Sequence, residues 1–204
     1  MEKERNKIHW FSRLEQLHPY KTLLYLAMFS SGLIFFFMTT AFVLSQSENS
    51  TFNQYTIPKS FIISSLVLLL SAFISEKIIP AFLSHNLKKT KSMLLLILGL
   101  GLLFSALQLK GWQELSELGI DFTGLPSGSF LYLLSGIHLV HLLGAMIYAF
   151  LLCYQIHQRE KDEVKTLVLL TNPYEKMKLE LFAVYWKFMD AIWLVLFGLF
   201  LWIL

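Results

Sequence analysis

The sequence predicts an all-α integral membrane protein: a bundle of five transmembrane helices with the N-terminus in the cytoplasm and the C-terminus outside. Three observations carry this expectation. The chain of 204 residues is 55% apolar and only 15% charged, whereas a soluble domain is about 45–50% apolar and about 25% charged. Its mean hydropathy is +0.57. Five windows are long and apolar enough to cross about 30 Å of hydrocarbon, which takes about 20 residues of helix. The same figures exclude a disordered chain, a disulfide scaffold and a nucleic-acid-binding module, and the single Cys153 has no intrachain partner.

The windows run over residues 22–44, 61–83, 92–109, 129–154 and 179–203, within one membrane domain covering residues 1–204. The basic residues orient them. Lys3, Arg5, Lys7, Arg13 and Lys21 precede the first window; Lys88, Lys89 and Lys91 follow the second; Arg159, Lys161, Lys165, Lys176 and Lys178 follow the fourth. The two remaining connections hold only Lys59 and Lys110. Positively charged connections stay on the cytoplasmic side, and the asymmetry is thirteen to two.

Residues 1–21 are charged from the start and do not read as a cleavable signal. Ile8, Phe11, Leu14 and Leu17 recur at near-helical spacing, which predicts an amphipathic segment on the cytoplasmic surface. Asn49-Ser50-Thr51 fits a glycosylation acceptor, a pattern too short to carry weight. The connection from Gln155 to Lys178 is expected to be a solvated extension of the fourth helix that ends before Pro173. Gly-rich phosphate cradles, paired-cysteine metal motifs and internal repeats are absent from the sequence.

Ionisable side chains in a span cost about 2.5–3.5 kcal/mol at mid-helix, so each requires a partner or a purpose. His138 and His141 stand three residues apart in the fourth window, on one helical face. Ser135, Gly136, Gly144 and Ala145 flank them and allow a neighbouring helix to approach closely. Packing against other protein is the simpler reading of this pair. A haem or metal site is the sharper one, but the other spans contain no histidine to complete it. Glu180, Lys187 and Asp190 share one side of the fifth window, where Lys187 and Asp190 are expected to pair along the helix. Trp186 is among the large rings around them. Glu76, in the second window, and Gln108, in the third, are weaker candidates for inter-helix polar contacts.

Three blocks carry a resemblance. Ser135-Gly136-Ile137-His138-Leu139-Val140-His141, with Gly144 three on, is similar to a Thr-Gly-Phe-His-x-x-His-Val block. Tyr185-Trp186-Lys187-Phe188-Met189-Asp190-Ala191-Ile192-Trp193 resembles Tyr-Trp-His-Phe-Val-Asp-Val-Val-Trp. The stretch from Gly99 to Gln108, followed by Trp112, resembles Leu-Gly-x-x-Phe-x-x-x-Gln with its acidic-Trp end. In this order the blocks resemble subunit III of the haem-copper oxidases, in its short five-helix bacterial form, over nearly the whole chain. The first two spans match poorly.

Two departures stand out. Lys187 occupies the position of a family histidine, and Ser31 stands where the family commonly has a carboxylate, for which Glu76 is a candidate replacement.

The resemblance implies a non-redox subunit of a respiratory cytochrome c oxidase, with no catalytic centre of its own and no cofactor bound by this chain. Haems and copper are expected in partner subunits. The chain is expected to pack directly on subunit I, beside subunit II and further subunits, to hold phospholipid in a cleft, and to support proton uptake, oxygen access and stability during turnover. His138, His141 and Glu180 then become cleft or inter-helix polar groups, while Trp186 and Asp190 hold the last helix. A multi-pass place in the bacterial plasma membrane follows, whereas membership of a larger respiratory supercomplex is left open by the sequence. The alternatives are the accessory subunit of a quinol oxidase or nitric oxide reductase of the same superfamily and, remotely, a small membrane carrier or proton channel.

Overall fold

The computed structural model describes residues 18–46, 58–123 and 126–203. Apart from residues 18–21, the expected amphipathic segment lies outside the described residues, as does Asn49-Ser50-Thr51. Among the described residues there are seven helices and no strand: α1 Pro19–Gln46, α2 Lys59–Glu76, α3 Ile78–Leu83, α4 Leu87–Glu117, α5 Pro126–Arg159, α6 Glu163–Thr171 and α7 Pro173–Ile203. Five helical stretches are long and apolar enough to cross a membrane: Pro19–Ser45, Lys59–Leu83, Leu87–Glu117, Gly128–Arg159 and Pro173–Ile203. The chain thus has the build of a multi-pass membrane protein. The third span is much longer than the expected 92–109 window, because Leu87 to Lys91 and Lys110 to Glu117 continue the helix in polar sequence beyond the apolar run.

Local chemistry explains each break. Pro80 has no N–H to give the Glu76 carbonyl, and its ring crowds that carbonyl. The second span therefore interrupts at Lys77 and resumes as α3. α3 ends with His85 in the left-handed region at φ 56°. There the His85 N–H donates to the Phe82 carbonyl at 3.0 Å and the Asn86 N–H to the Ala81 carbonyl at 3.3 Å, the paired reverse bonds that close a helix end. Asn86 then caps α4 by accepting the Lys89 N–H at 2.9 Å. α4 closes in the same way, with Gly119 at φ 78° and Ile120 packed back toward Leu115, whose carbonyl accepts its N–H at 3.0 Å.

The Gln155–Lys178 connection differs from the expected continuation of the fourth helix. α5 stops at Arg159, and a separate helix, α6, begins under the cap of Asp162, which accepts the Val164 and Lys165 N–H groups at 3.0 and 3.3 Å. Capping draws the Asp162 carboxyl below its ordinary value of 3.8. Asn172 then accepts the Tyr174 N–H at 2.9 Å, with Pro173 at the first helical position, where a missing N–H costs nothing. Asn172-Pro173 therefore starts a helix as well as ending one.

α2, α4, α5 and α7 form a closed ring in which α2 lies between α4 and α7 and α5 sits opposite it. α1 is the outer helix, touching only α5 and α7 among the stronger contacts. Its aromatic anchors are Phe42, packed edge-on against Phe200 at 6.0 Å and beside Phe130 at 6.0 Å. At the other end of the bundle, charges tie the helices together. Glu175 takes Arg159 at 2.9 Å and Lys178 at 3.1 Å, while Lys91 of α4 pairs with Glu160 just beyond α5. The Lys91 ammonium holds the Glu160 carboxyl below its ordinary value.

α4 approaches α2 at Gly111, where an added Cβ would come within 2.3 Å of the fully buried Phe61 ring. Gly99, on the same helix, has nothing within 4 Å of that position. Gly111→Ala is expected to destabilise the bundle by about 1–3 kcal/mol through overpacking. Gly99→Ala should leave stability unchanged or raise it by up to about 1 kcal/mol, the helix-propensity gain. Thermal unfolding of the two variants in the same detergent checks the contrast.

Candidate functional site

The polar core begins with the sequence of α2, where Ser60, Ser64, Ser65, Ser71 and Ser75 are all buried. Steps of four and seven place Ser60, Ser64, Ser71 and Ser75 on one stripe. Small side chains let helices approach, and in a membrane their hydroxyls also bond across the gap. Ser64 and Ser65 both donate to the Phe61 carbonyl, at 2.9 and 2.8 Å, and Ser71 to the Leu68 carbonyl at 2.8 Å. With their protons committed to the backbone, the Ser64 and Ser65 oxygens are left as acceptors, while the Ser71 proton faces both the Leu68 carbonyl and the Asp190 carboxyl. Gln108 of α4 donates to Ser64 at 2.8 Å, Trp193 of α7 to Ser65 at 2.9 Å, and Trp186 to Ser71 at 3.0 Å. At the end of the stripe Glu114 accepts the Ser60 hydroxyl at 2.6 Å and its N–H at 3.2 Å, serving a first-turn N–H of α2 that has no intrahelical partner.

Asp190 is almost fully buried, and its carboxyl lies 3.4 and 3.5 Å from the Ser71 hydroxyl. Trp186 and Asp190 therefore meet on a single serine. Lys187 does not pair with Asp190 as the sequence suggested. One residue along from Trp186, it points outward and binds Glu76 of α2 at 3.0 Å, with both side chains about half exposed, at 46% and 61%. The reason is angular: three residues of helix, about 300°, leave the two side chains about 60° apart round the axis. That separates an inward Asp190 from a Lys187 able to reach the end of α2. Glu180 sits elsewhere, between Lys21 at 3.4 Å and Lys176 at 3.3 Å.

The histidines divide the work of α5. His138 is fully buried, with Nε2 at 3.1 Å from the Met189 carbonyl of α7. A carbonyl only accepts, so Nε2 carries the proton and Nδ1 is a lone pair, and Nδ1 has no hydrogen-bond partner. Rings enclose it: Trp193 at 5.1 Å, Phe104 at 5.6 Å edge-on and Phe35 at 6.4 Å between centroids. His141 turns toward α1. Its Nδ1–H donates to the Ile137 carbonyl at 2.8 Å, leaving Nε2 to accept the Ser31 hydroxyl at 3.1 Å. One turn earlier on α5, Ser135 accepts the Trp112 indole N–H at 2.9 Å.

Among the described residues no three His, Cys, Asp or Glu side chains form a group able to hold a metal. Along the seam Ser64 and Ser65 donate to their own helix and accept from amide and indole, while Ser60 donates to Glu114 and Ser71 faces Asp190. This arrangement joins α2 to α4 and α7. The sequence alone does not single out Ser64, Ser65 or Ser71 as site residues, although the serine spacing in α2 is a readable signal.

Two apolar crevices flank α1. One, of about 390 Å³, opens among Tyr20, Leu24, Ala27, Gly144, Tyr148 and Phe182. The other, of about 490 Å³, lies among Gly32, Phe36, Thr40, Phe188, Ile192 and Val195. Between them, Ser31 and Phe35 hold α1 to His141.

Compared with known proteins, the chain matches no family model and no curated sequence.

Removing the Ser71 hydroxyl leaves the Trp186 N–H without its acceptor in the core. Ser71→Ala is expected to cost about 1–3 kcal/mol, the range for an orphaned buried group. A cycle with Trp186→Phe should give a coupling of about 0.5–1.5 kcal/mol, within what inter-helix bonds in membranes reach. Unfolding of the two single variants and the double variant measures it; a coupling of zero would remove this bond from the account.

Proposed function

We propose that this chain is the non-redox subunit III of a haem-copper oxidase of the bacterial plasma membrane, packed against subunit I. The observation that supports the reading most is convergence. The three sequence blocks that resemble the family come together in one buried cluster, with Phe104 from the first, His138 from the second and Trp193 from the third in mutual ring contact. Gln108, Trp186 and Asp190 from the same blocks bind the serines of α2.

On this reading the end bearing Lys88, Lys89, Lys91 and Arg159 faces the cytoplasm, following the distribution of positive charge. The chain's residues serve as scaffold. Asp190 and Trp186 hold α7 to α2, His138 ties α5 to α7, and His141 ties α5 to α1 through Ser31. Both nitrogens of His141 and Nε2 of His138 are engaged in such bonds, which fits a subunit that leaves haem and copper to its partners. The crevices beside α1 are apolar and open to the side, which suits phospholipid acyl chains and the passage of an apolar gas such as oxygen.

Ser31 bonds to His141, whereas Glu76 bonds to Lys187. This gives Glu76 no part in the contact that a carboxylate at Ser31 would make. Support for proton uptake would then rest on packing and on the charge of the cytoplasmic end.

Purification in mild detergent through a tag on this chain tests the proposal. Haem absorbance and two larger membrane subunits are expected to co-purify, with the colour lost when this chain is isolated alone. A colourless, self-contained protein would contradict the proposal, and a quinol-oxidising partner set would move it to that branch of the superfamily.

A further inference from the structure

α6 carries an apolar face that the bundle does not use. Of its nine residues, Val164, Leu167 and Val168 are 71%, 64% and 57% exposed. Spaced i, i+3 and i+4, they form one face of the helix. The opposite side holds Leu169, which is buried, and Thr166, whose hydroxyl donates to the Arg159 carbonyl at 3.0 Å. Three large apolar side chains side by side on a short connection outside the five spans require an explanation.

The depth of α6 supplies one. Leu169 lies around a small void with Phe82, Leu152, Ile156 and Leu179. Leu152 and Ile156 come seven and three residues before the end of α5, and Leu179 six residues after the start of α7. At about 1.5 Å per residue these positions lie up to about 10 Å inside the helix ends. α5 and α7 both run past that level, so α6 lies alongside the helices rather than across the end of the bundle. Its outward face points sideways. α5 has 34 residues, or roughly 51 Å, more than the 40–45 Å or so of a bilayer with its headgroups. With the helix centred on the bilayer, its last two turns run through the headgroup layer and a few ångströms beyond, and α6 lies beside them.

We propose that α6 is an interfacial helix whose Val164, Leu167 and Val168 face beds into the boundary between headgroups and acyl chains of the membrane that the bundle spans. Charge placement agrees. Glu163 and Lys165 flank the apolar face, and Lys161 precedes the helix, all exposed. Long lysine stems can lie on apolar surface while their ammonium groups reach phosphate. Asp162 satisfies the first N–H groups of the helix without drawing on the bilayer. The consequence for the fold is an anchor at one level of the membrane, fixing the height of the ion-paired ends of α5 and α7. It depends on the membrane-spanning build of the chain and is independent of the oxidase assignment.

The test uses the full chain in phosphatidylcholine–phosphatidylglycerol nanodiscs, with Cys153→Ala removing the buried native thiol. Leu167→Cys and Val168→Cys each carry an environment-sensitive fluorophore, with Lys165→Cys as the flanking control and Val164→Cys in reserve should a first site disturb folding. Blue-shifted emission at 167 and 168, quenched by nitroxide on the lipid glycerol region and not by iodide, is the expected result, with iodide quenching at 165. Iodide quenching at 167 as strong as at 165 would overturn the proposal, as would protection from both quenchers, which would mean that protein covers the face.

Discussion

Two indole N–H groups on α7, seven residues apart, each find a serine oxygen on α2, and the rest of the bundle is arranged around that pairing. Trp186 and Trp193 are fully buried, each with its indole N–H on a serine oxygen. In a lipid environment the hydrophobic effect does not push helices together, since acyl chains are as apolar as leucine. Close packing and inter-helix hydrogen bonds must supply the preference. Serines answer both needs: they are small enough for close approach, and once their own protons go to backbone carbonyls they can accept the indoles.

From that seam the other contacts follow in order. Trp193 is enclosed by Phe61, Phe104 and His138, which brings α4 and α5 against the same centre. His138 reaches across to the Met189 carbonyl, and His141 on the next turn holds α1 through Ser31. α1 is thus attached through its middle and its Phe42 end, with apolar crevices to either side. The result is a four-helix centre with one laterally attached helix.

Much of this was legible in the sequence, for identifiable reasons. Apolar length gave the five spans, because nothing else crosses a bilayer so readily. Helical spacing placed Trp186 and Asp190 near each other and His138 on the face of His141. What was not legible depended on facing helices. Lys187 looked like a partner for Asp190 because both lie within one turn, and only the position of Glu76 on α2 reveals its actual partner. Ser31 was read as a missing carboxylate, whereas its use is to donate to His141. α6 was hidden because the apolar run from Leu167 to Leu170 resembles a continuation of α5. The capping of Asp162 and the packing of Leu169 make it a separate helix. Serines in α2 are common enough in membrane helices that their spacing gains meaning only beside the two tryptophans.

Exchange of indole protons for deuterium, followed by NMR on the ¹⁵N-tryptophan-labelled chain in nanodiscs, tests the central pairing most directly. Single Trp→Phe variants assign the signals. Trp186 and Trp193 should retain their indole protons longest, and Trp202, 75% exposed near the end of α7, should lose its proton far sooner. Exchange of all three at one rate would contradict the account, because indoles held by buried serines cannot release their protons as freely as one at the end of a helix.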